Sequence, residues 1–279
     1  MAPAPATAGD GHTVVHCLDD NLGTVRKTLA TDCKGRAVTE EEAAAVKNQR
    51  RDYIQKVLSK VPDSSMEGKS LSRLGSGFFV AEDGSVLTSH HLVDGCSSIS
   101  VAPTFEEMAK ATVIAPDAEV DLALLRTSVT PPGIASFAEG AGSMVMGAGF
   151  LSGYPQQGMV AIAPVLTAVD ILRRESHTPR GPAIIVRGDI RKGNSGGPLL
   201  DSGGNVVGVV LAKVDSIGIY NATGEVVSDI GFILPGDRVQ HFLDAQGVDY
   251  HLDQRRPLQP EDRMLEDARP FMVQVGCWN

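Results

Sequence analysis

Gly193-Asn194-Ser195-Gly196-Gly197-Pro198-Leu199 is the stretch on which the reading of the fold turns. Three glycines around one serine let the backbone take positive φ values and bring successive amides toward one point. Gly-x-Ser-x-Gly also describes a strand–turn–helix elbow that exposes a serine in α/β folds. Here Gly196-Gly197-Pro198 follows the serine and opposes a helix at that place. Ser195 therefore sits in a turn between strands, with apolar runs on either side at Ala183–Arg187 and Val206–Leu211.

Working outward, short strands and turns recur from residue 74 to about 235. Gly75 to Val80 reads as a strand, Glu82-Asp83-Gly84 as a tight turn, and Ser85 to Thr88 as the return strand. Ser98–Val101, Leu122–Leu125 and Gly231–Leu234 extend the series, and a helix over 236–246 closes it. Thirty glycines and only 5% aromatic residues in 279 suit many short punctuated strands. The implied class is all-β, a sandwich or barrel.

The flanks differ. Residues 1–11 are rich in Ala, Pro and Gly and read as a disordered tail. Thr13–Leu18 suits a short strand. Thr39-Glu40-Glu41-Glu42 forms a capping box. Val46, Tyr53, Ile54, Val57, Leu58 and Val61 follow it at helical spacing, and Pro62 ends the helix. The helix at about 39–61 must dock its apolar stripe on something. Residues 62–73 read as a linker, and 252–270 as a charged tail before a possible strand at Phe271–Val275. The expected domains are an N-terminal extension 1–66, a core domain 67–250 and a C-terminal tail 251–279.

Two further segments carry chemistry-bearing residues: Leu87-Thr88-Ser89-His90-His91 and Asp121-Leu122-Ala123-Leu124-Leu125. A serine hydroxyl is a weak nucleophile at neutral pH. It needs a base within hydrogen-bond reach, usually histidine, and a carboxylate that fixes the base's tautomer. In this order and spacing, the three segments resemble the trypsin-like peptidases of the chymotrypsin fold, most closely the HtrA/Deg-like bacterial branch. The resemblance covers about 72–248.

It implies a double six-stranded β-barrel, here with an added N-terminal helical segment. It also implies a serine endopeptidase that hydrolyses peptide bonds through an acyl-enzyme, with a polypeptide as substrate. The family places its histidine three residues after a strand-end threonine, which selects His91 over His90, and its aspartate at the head of an Asp-x-Ala-Leu-Leu strand, which selects Asp121 over Asp117. Ser195 is then the nucleophile, and Gly193, Asn194 and Ser195 form the oxyanion hole. Asp189, six residues before Ser195, falls at the floor of the pocket for the residue preceding the cut bond (P1). Leu211, Ala212 and Lys213 fall along its wall. An acid at that floor selects Lys or Arg, unless Arg191 or Lys213 neutralises it. HtrA-like relatives instead take aliphatic side chains there. The chain stops too soon for the PDZ module with which that branch continues. An autoinhibited or non-catalytic peptidase-like binding protein is the alternative, and an α/β-hydrolase esterase using His241 or His251 a weaker one.

Composition narrows the partners. A net charge of −9 and an absent basic stripe oppose nucleic acid. No run of about 18 apolar residues spans a membrane. Met1 is followed by Ala and Pro rather than a signal peptide, as in a mature secreted chain given an initiator Met. A periplasmic or extracellular location is expected. No cofactor or metal is expected: no Cys-x-x-Cys occurs, and His12 and His16 fall in a tail or strand. Asn221-Ala222-Thr223 reads as a turn despite its match to a glycosylation acceptor. Cys17 and Cys33 flank a short polar loop, where a bridge would contribute about 3 kcal/mol. Cys96 and Cys277 remain for a second bridge, tying the tail to the barrel. The sequence sets no oligomeric state.

Overall fold

Strand and turn chemistry appear in the structure where the glycines placed them. The computed structural model describes residues 13–19, 24–33, 35–58, 66–104, 107–140, 147–155, 164–178, 181–213, 221, 223–224, 227, 229–254 and 259–279. The N-terminal tail, the helix end at Pro62 and Ala222 lie outside the described residues, as do the side chains of Tyr53, Ile54, Val57, Leu58 and Lys213.

The chain divides into two units. In the first, β1 (Val14–Asp19) lies between β2 (Thr24–Leu29) and β3 (Arg36–Val38). Helix α1 (Glu40–Leu58) packs against β1 and β2. Leu29 and Ala43 are buried, and Cys17 is bridged to Cys33 across a Cα separation of 5.5 Å. Thr39 Oγ1 accepts from Glu42 N at 3.2 Å, as the capping box requires. The Glu42 carboxylate is engaged by Arg36 at 2.6 Å. The helix therefore packs against a small sheet that sequence showed only as one strand.

The second unit holds two closed six-stranded barrels. The first contains β4 (Leu71–Phe79), β5 (Ser85–Ser89), β6 (Ser98–Ala102), β7 (Ala109–Asp117) and β8 (Leu122–Thr127). A one-turn helix, α2 (His90–Val93), follows β5. Gly84 turns β4 into β5 at φ 80°, and a Cβ there would lie 2.5 Å from Thr127 O. After β9 (Ser136–Ala138), the second barrel runs through β10 (Gly147–Gly153), β11 (Val165–Thr178), β12 (Gly181–Gly188), β13 (Pro198–Leu200), β14 (Val206–Lys213) and β15 (Ile230–Pro235). Pairing of β13 with both β10 and β14 closes it. Helix α3 (Gly236–Ala245) buries Val239, Phe242 and Leu243. Strand β16 (His251–Asp253) pairs with β9.

The chain end corrects the expected boundaries. Residues 251–279 are not a tail outside the core domain, because β17 (Met272–Trp278) pairs with β4 and β6 and is the strand that closes the first barrel. All seven of its residues are buried. Cys277 is bridged to Cys96, and Trp278 Nε1 donates to Ser100 Oγ at 2.8 Å. The charged stretch before it contains α4 (Glu261–Ala268), which buries Met264 and Ala268 and pairs Arg263 with Asp267 outside. Beside β17, β4 begins at Leu71, inside the expected linker, since its first residues pair with the end of β17.

Candidate active site

Ser195 lies where two tight turns meet. Asn194 N donates to Arg191 O at 3.1 Å, and Gly197 N to Asn194 O at 2.9 Å. The third residue of each turn has positive φ, Gly193 at 96° and Gly196 at 81°. The second residues, Lys192 and Ser195, do not. That combination is type II, which only glycine enters without strain. Asn194 Oδ1 accepts from Arg191 N at 2.9 Å and fastens the first turn from its other side.

This arrangement clamps alternate peptide groups. The Gly193–Asn194 peptide is held at N–H by Arg191 O and at C=O by Ser76 Oγ, 2.6 Å away. The Ser195–Gly196 peptide is held at C=O by Ser76 N and at N–H by Val210 O, both at 2.9 Å. Among the described residues, the Gly193 and Ser195 N–H groups between them donate to no protein acceptor. Asn194, expected as a third donor, is not one: its N–H is used in the first turn.

His91 follows β5 on α2, and Asp121 precedes β8 with φ 61°, an unusual value for a non-glycine residue. Asp121 contacts the start of α2 three times. Its carbonyl accepts from His90 N at 3.1 Å, Oδ1 accepts from His91 N at 2.9 Å, and Oδ2 lies 2.8 Å from His91 Nδ1. The carboxylate is buried, while the imidazole is 43% exposed, leaving Nε2 accessible. Ser89 Oγ donates to Val210 O at 3.3 Å, the same oxygen that takes Gly196 N. One carbonyl thus ties the histidine's strand to the serine's turn. Among the described residues, Ser195 Oγ and His91 share no hydrogen bond. Such bonds are commonly long in unliganded sites and tighten with substrate.

Asp189 is not a bare anion. Arg191 holds its Oδ2 through Nε at 2.9 Å and through a terminal nitrogen at 2.5 Å. On β14, Leu211 is buried and Ala212 half-buried, and the pairing with β15 shifts register between Val210 and Ala212. Lys213 pairs with Gly231.

Residues 75–209 match the model of the trypsin-like peptidase domain. That stretch resembles the trypsin-like peptidases. The chain is similar to the serine protease Do-like HtrA of Lactococcus lactis, 28% identical over 197 residues covering 67% of this chain. The chain spans about half, 48%, of that relative's length. The active form of the Mycobacterium tuberculosis protease Rv3671c superposes with a TM-score of 0.50 at 27% identity, covering 64% of this chain and 76% of that one. An HtrA-type protease, AlgW, solved with a decapeptide, shares the fold at TM-score 0.51 and 22% identity, covering 61% of this chain and 50% of the other.

Sequence reading missed Ser76, which touches both halves of the serine turn. The signal lay in Gly75-Ser76-Gly77, since glycine inside a strand marks close backbone approach. Tyr154 was missed as well. Its N–H donates to Ser76 Oγ at 2.8 Å, and its hydroxyl lies 3.2 Å from Pro103 O and 3.4 Å from Met272 O. Burial pushes its phenol far up, so it remains a neutral donor.

Gly196 is a point of very close approach in the candidate site. A Cβ there would lie 2.2 Å from Ser76 O and 2.5 Å from Thr88 Oγ1, at a φ that L residues avoid. Gly196→Ala is expected to cost about 2–3 kcal/mol in denaturant unfolding. It should also lower peptide hydrolysis by more than about 100-fold through displacement of Ser195. Unchanged values of both would show that the turn is not set by this approach.

Proposed function

We propose that the domain is a serine endopeptidase in which Ser195, His91 and Asp121 cleave peptide bonds through an acyl-enzyme. The observation that carries this reading is the pair of acceptor-free amides beside Ser195. They form a positive concavity where an acyl oxygen would gain charge.

The ionised Asp121 carboxylate only accepts, so Nδ1 of the neutral imidazole carries the proton and Nε2 has a free lone pair. As Ser195 Oγ attacks the substrate carbonyl carbon, its proton passes to Nε2. The carbonyl oxygen becomes an oxyanion between the Gly193 and Ser195 N–H groups. Collapse breaks the C–N bond, and the imidazolium returns the proton to the leaving amine. Water then repeats the sequence on the acyl-enzyme, releasing the acid and restoring Ser195. Ala212 and Lys213 pair with β15 on one side, and the other edge of 211–213 is suited to an extended substrate strand. Peptide binding by the AlgW relative fits that reading. The two bridged cysteine pairs fit an oxidising compartment, periplasmic or extracellular.

A P1 Lys or Arg would need an uncompensated anion, and Arg191 already occupies Asp189. The proposed P1 preference is therefore for uncharged side chains. Peptide-library cleavage is expected to yield uncharged P1 residues, with Asp189→Ala changing that profile by less than about threefold in kcat/KM, below 1 kcal/mol. A strong Lys/Arg preference abolished by Asp189→Ala would refute it. Hydrolysis of an unfolded protein, lost in Ser195→Ala, tests the activity itself.

A further inference from the structure

Glycine at position 193 creates a problem for the proposed chemistry. Without a side chain, Gly193 changes φ and ψ at little cost, and such a change, with its carbonyl released, would swing its N–H away from the acyl oxygen. Something outside the turn must hold it.

Ser76 is placed to do so. It is fully buried on β4, 117 positions from Gly193 in sequence. Its hydroxyl donates to Gly193 O at 2.6 Å and accepts from Tyr154 N at 2.8 Å, so its one proton has a fixed direction. Its own N–H donates to Ser195 O at 2.9 Å, and its carbonyl accepts from Thr88 Oγ1 at 2.7 Å. Every polar atom of the residue is therefore engaged, and two of them hold the carbonyls that flank the acceptor-free amides. Thr88 lies on β5, the strand that leads into α2 and His91, so one residue of the first barrel braces both sides of the cleft.

We infer that Ser76 is a positioning residue that fixes the Gly193 amide toward the developing oxyanion. This rests on the peptidase reading above. Removing the hydroxyl frees the Gly193 carbonyl, while the Ser76 N–H continues to hold Ser195. The nucleophile should stay in place and one of the two donors should lose its aim. The effect then falls on the transition state, not on substrate binding.

The test compares the full chain with its Ser76→Ala, Ser76→Cys and Ser195→Ala variants on a chromogenic peptide, with thermal melting recorded for each. Ser76→Ala is expected to lower kcat about 10- to 100-fold with KM within about twofold. Affinity for a peptide aldehyde, whose adduct carries the oxyanion, should fall by a similar factor, and affinity for the product peptide should not. A purely structural role would move the melting temperature without this split. If Ser76→Ala does not fold, Ser76→Cys, similar in shape with a weaker donor, should show the same split at about 3- to 10-fold. Unchanged kcat, or a loss expressed only in KM, overturns the inference while leaving the peptidase reading intact. Activity that survives Ser195→Ala overturns the peptidase reading instead.

Discussion

Ser195→Ala is expected to lower kcat for peptide hydrolysis by roughly 10⁶-fold when chemistry limits turnover. The side chain lies at the meeting of two type II turns, whose carbonyls and amides are held by Arg191, Ser76 and Val210. None of those bonds uses its hydroxyl, so the variant should fold as the parent does. KM should change little, because the substrate-facing edge of β14 is untouched. The measurement is steady-state hydrolysis beside a melting curve. A fall of less than about tenfold with unchanged melting would mean that another group supplies the nucleophile.

Asp121→Asn should lower kcat by about 10⁴-fold, and the geometry gives the reason. Oδ1 is committed to the His91 backbone N–H and Oδ2 to His91 Nδ1. An asparagine must keep its oxygen toward the backbone donor, since an amide NH₂ cannot accept there. Its nitrogen then faces the imidazole and donates to Nδ1. The ring proton is forced onto Nε2, the atom that must receive the serine proton. The amide is nearly isosteric with the carboxylate, so the left-handed backbone at 121 and the approach of His90 should persist. Hydrolysis rates and the ¹⁵N resonances of the ring would be read together. Full activity with Nε2 protonated would contradict the assigned role of the carboxylate.

Local chemistry was legible in the sequence, whereas distant pairing was not. Glycines at 84, 193 and 196 mark turns because only their positive φ values close them, and those turns fall where expected. The capping residue Thr39 worked for the same reason, since its partner is three positions away. His91, Asp121 and Ser195 were singled out through motifs on strand ends. Strand β17 was harder, because its apolar residues gain meaning only once β4 and β6 lie on either side. Charged residues on the outer face of α4 masked the buried Met264 and Ala268. Asn194 and Ser76 show the limit within the site itself. Whether a backbone amide points into a cleft or closes a turn depends on one peptide orientation, which composition does not encode. Ser76 acts on carbonyls more than a hundred positions away, and no spacing rule reaches that far.

Covalent labelling reads out whether Ser195 is an activated nucleophile. The full chain is treated with a serine-directed phosphonylating reagent, digested, and the adduct is located by mass spectrometry. One adduct is expected, on Ser195, formed in step with loss of peptide hydrolysis and absent from Ser195→Ala. An adduct that persists in Ser195→Ala, or inactivation with the label on another residue, would contradict it.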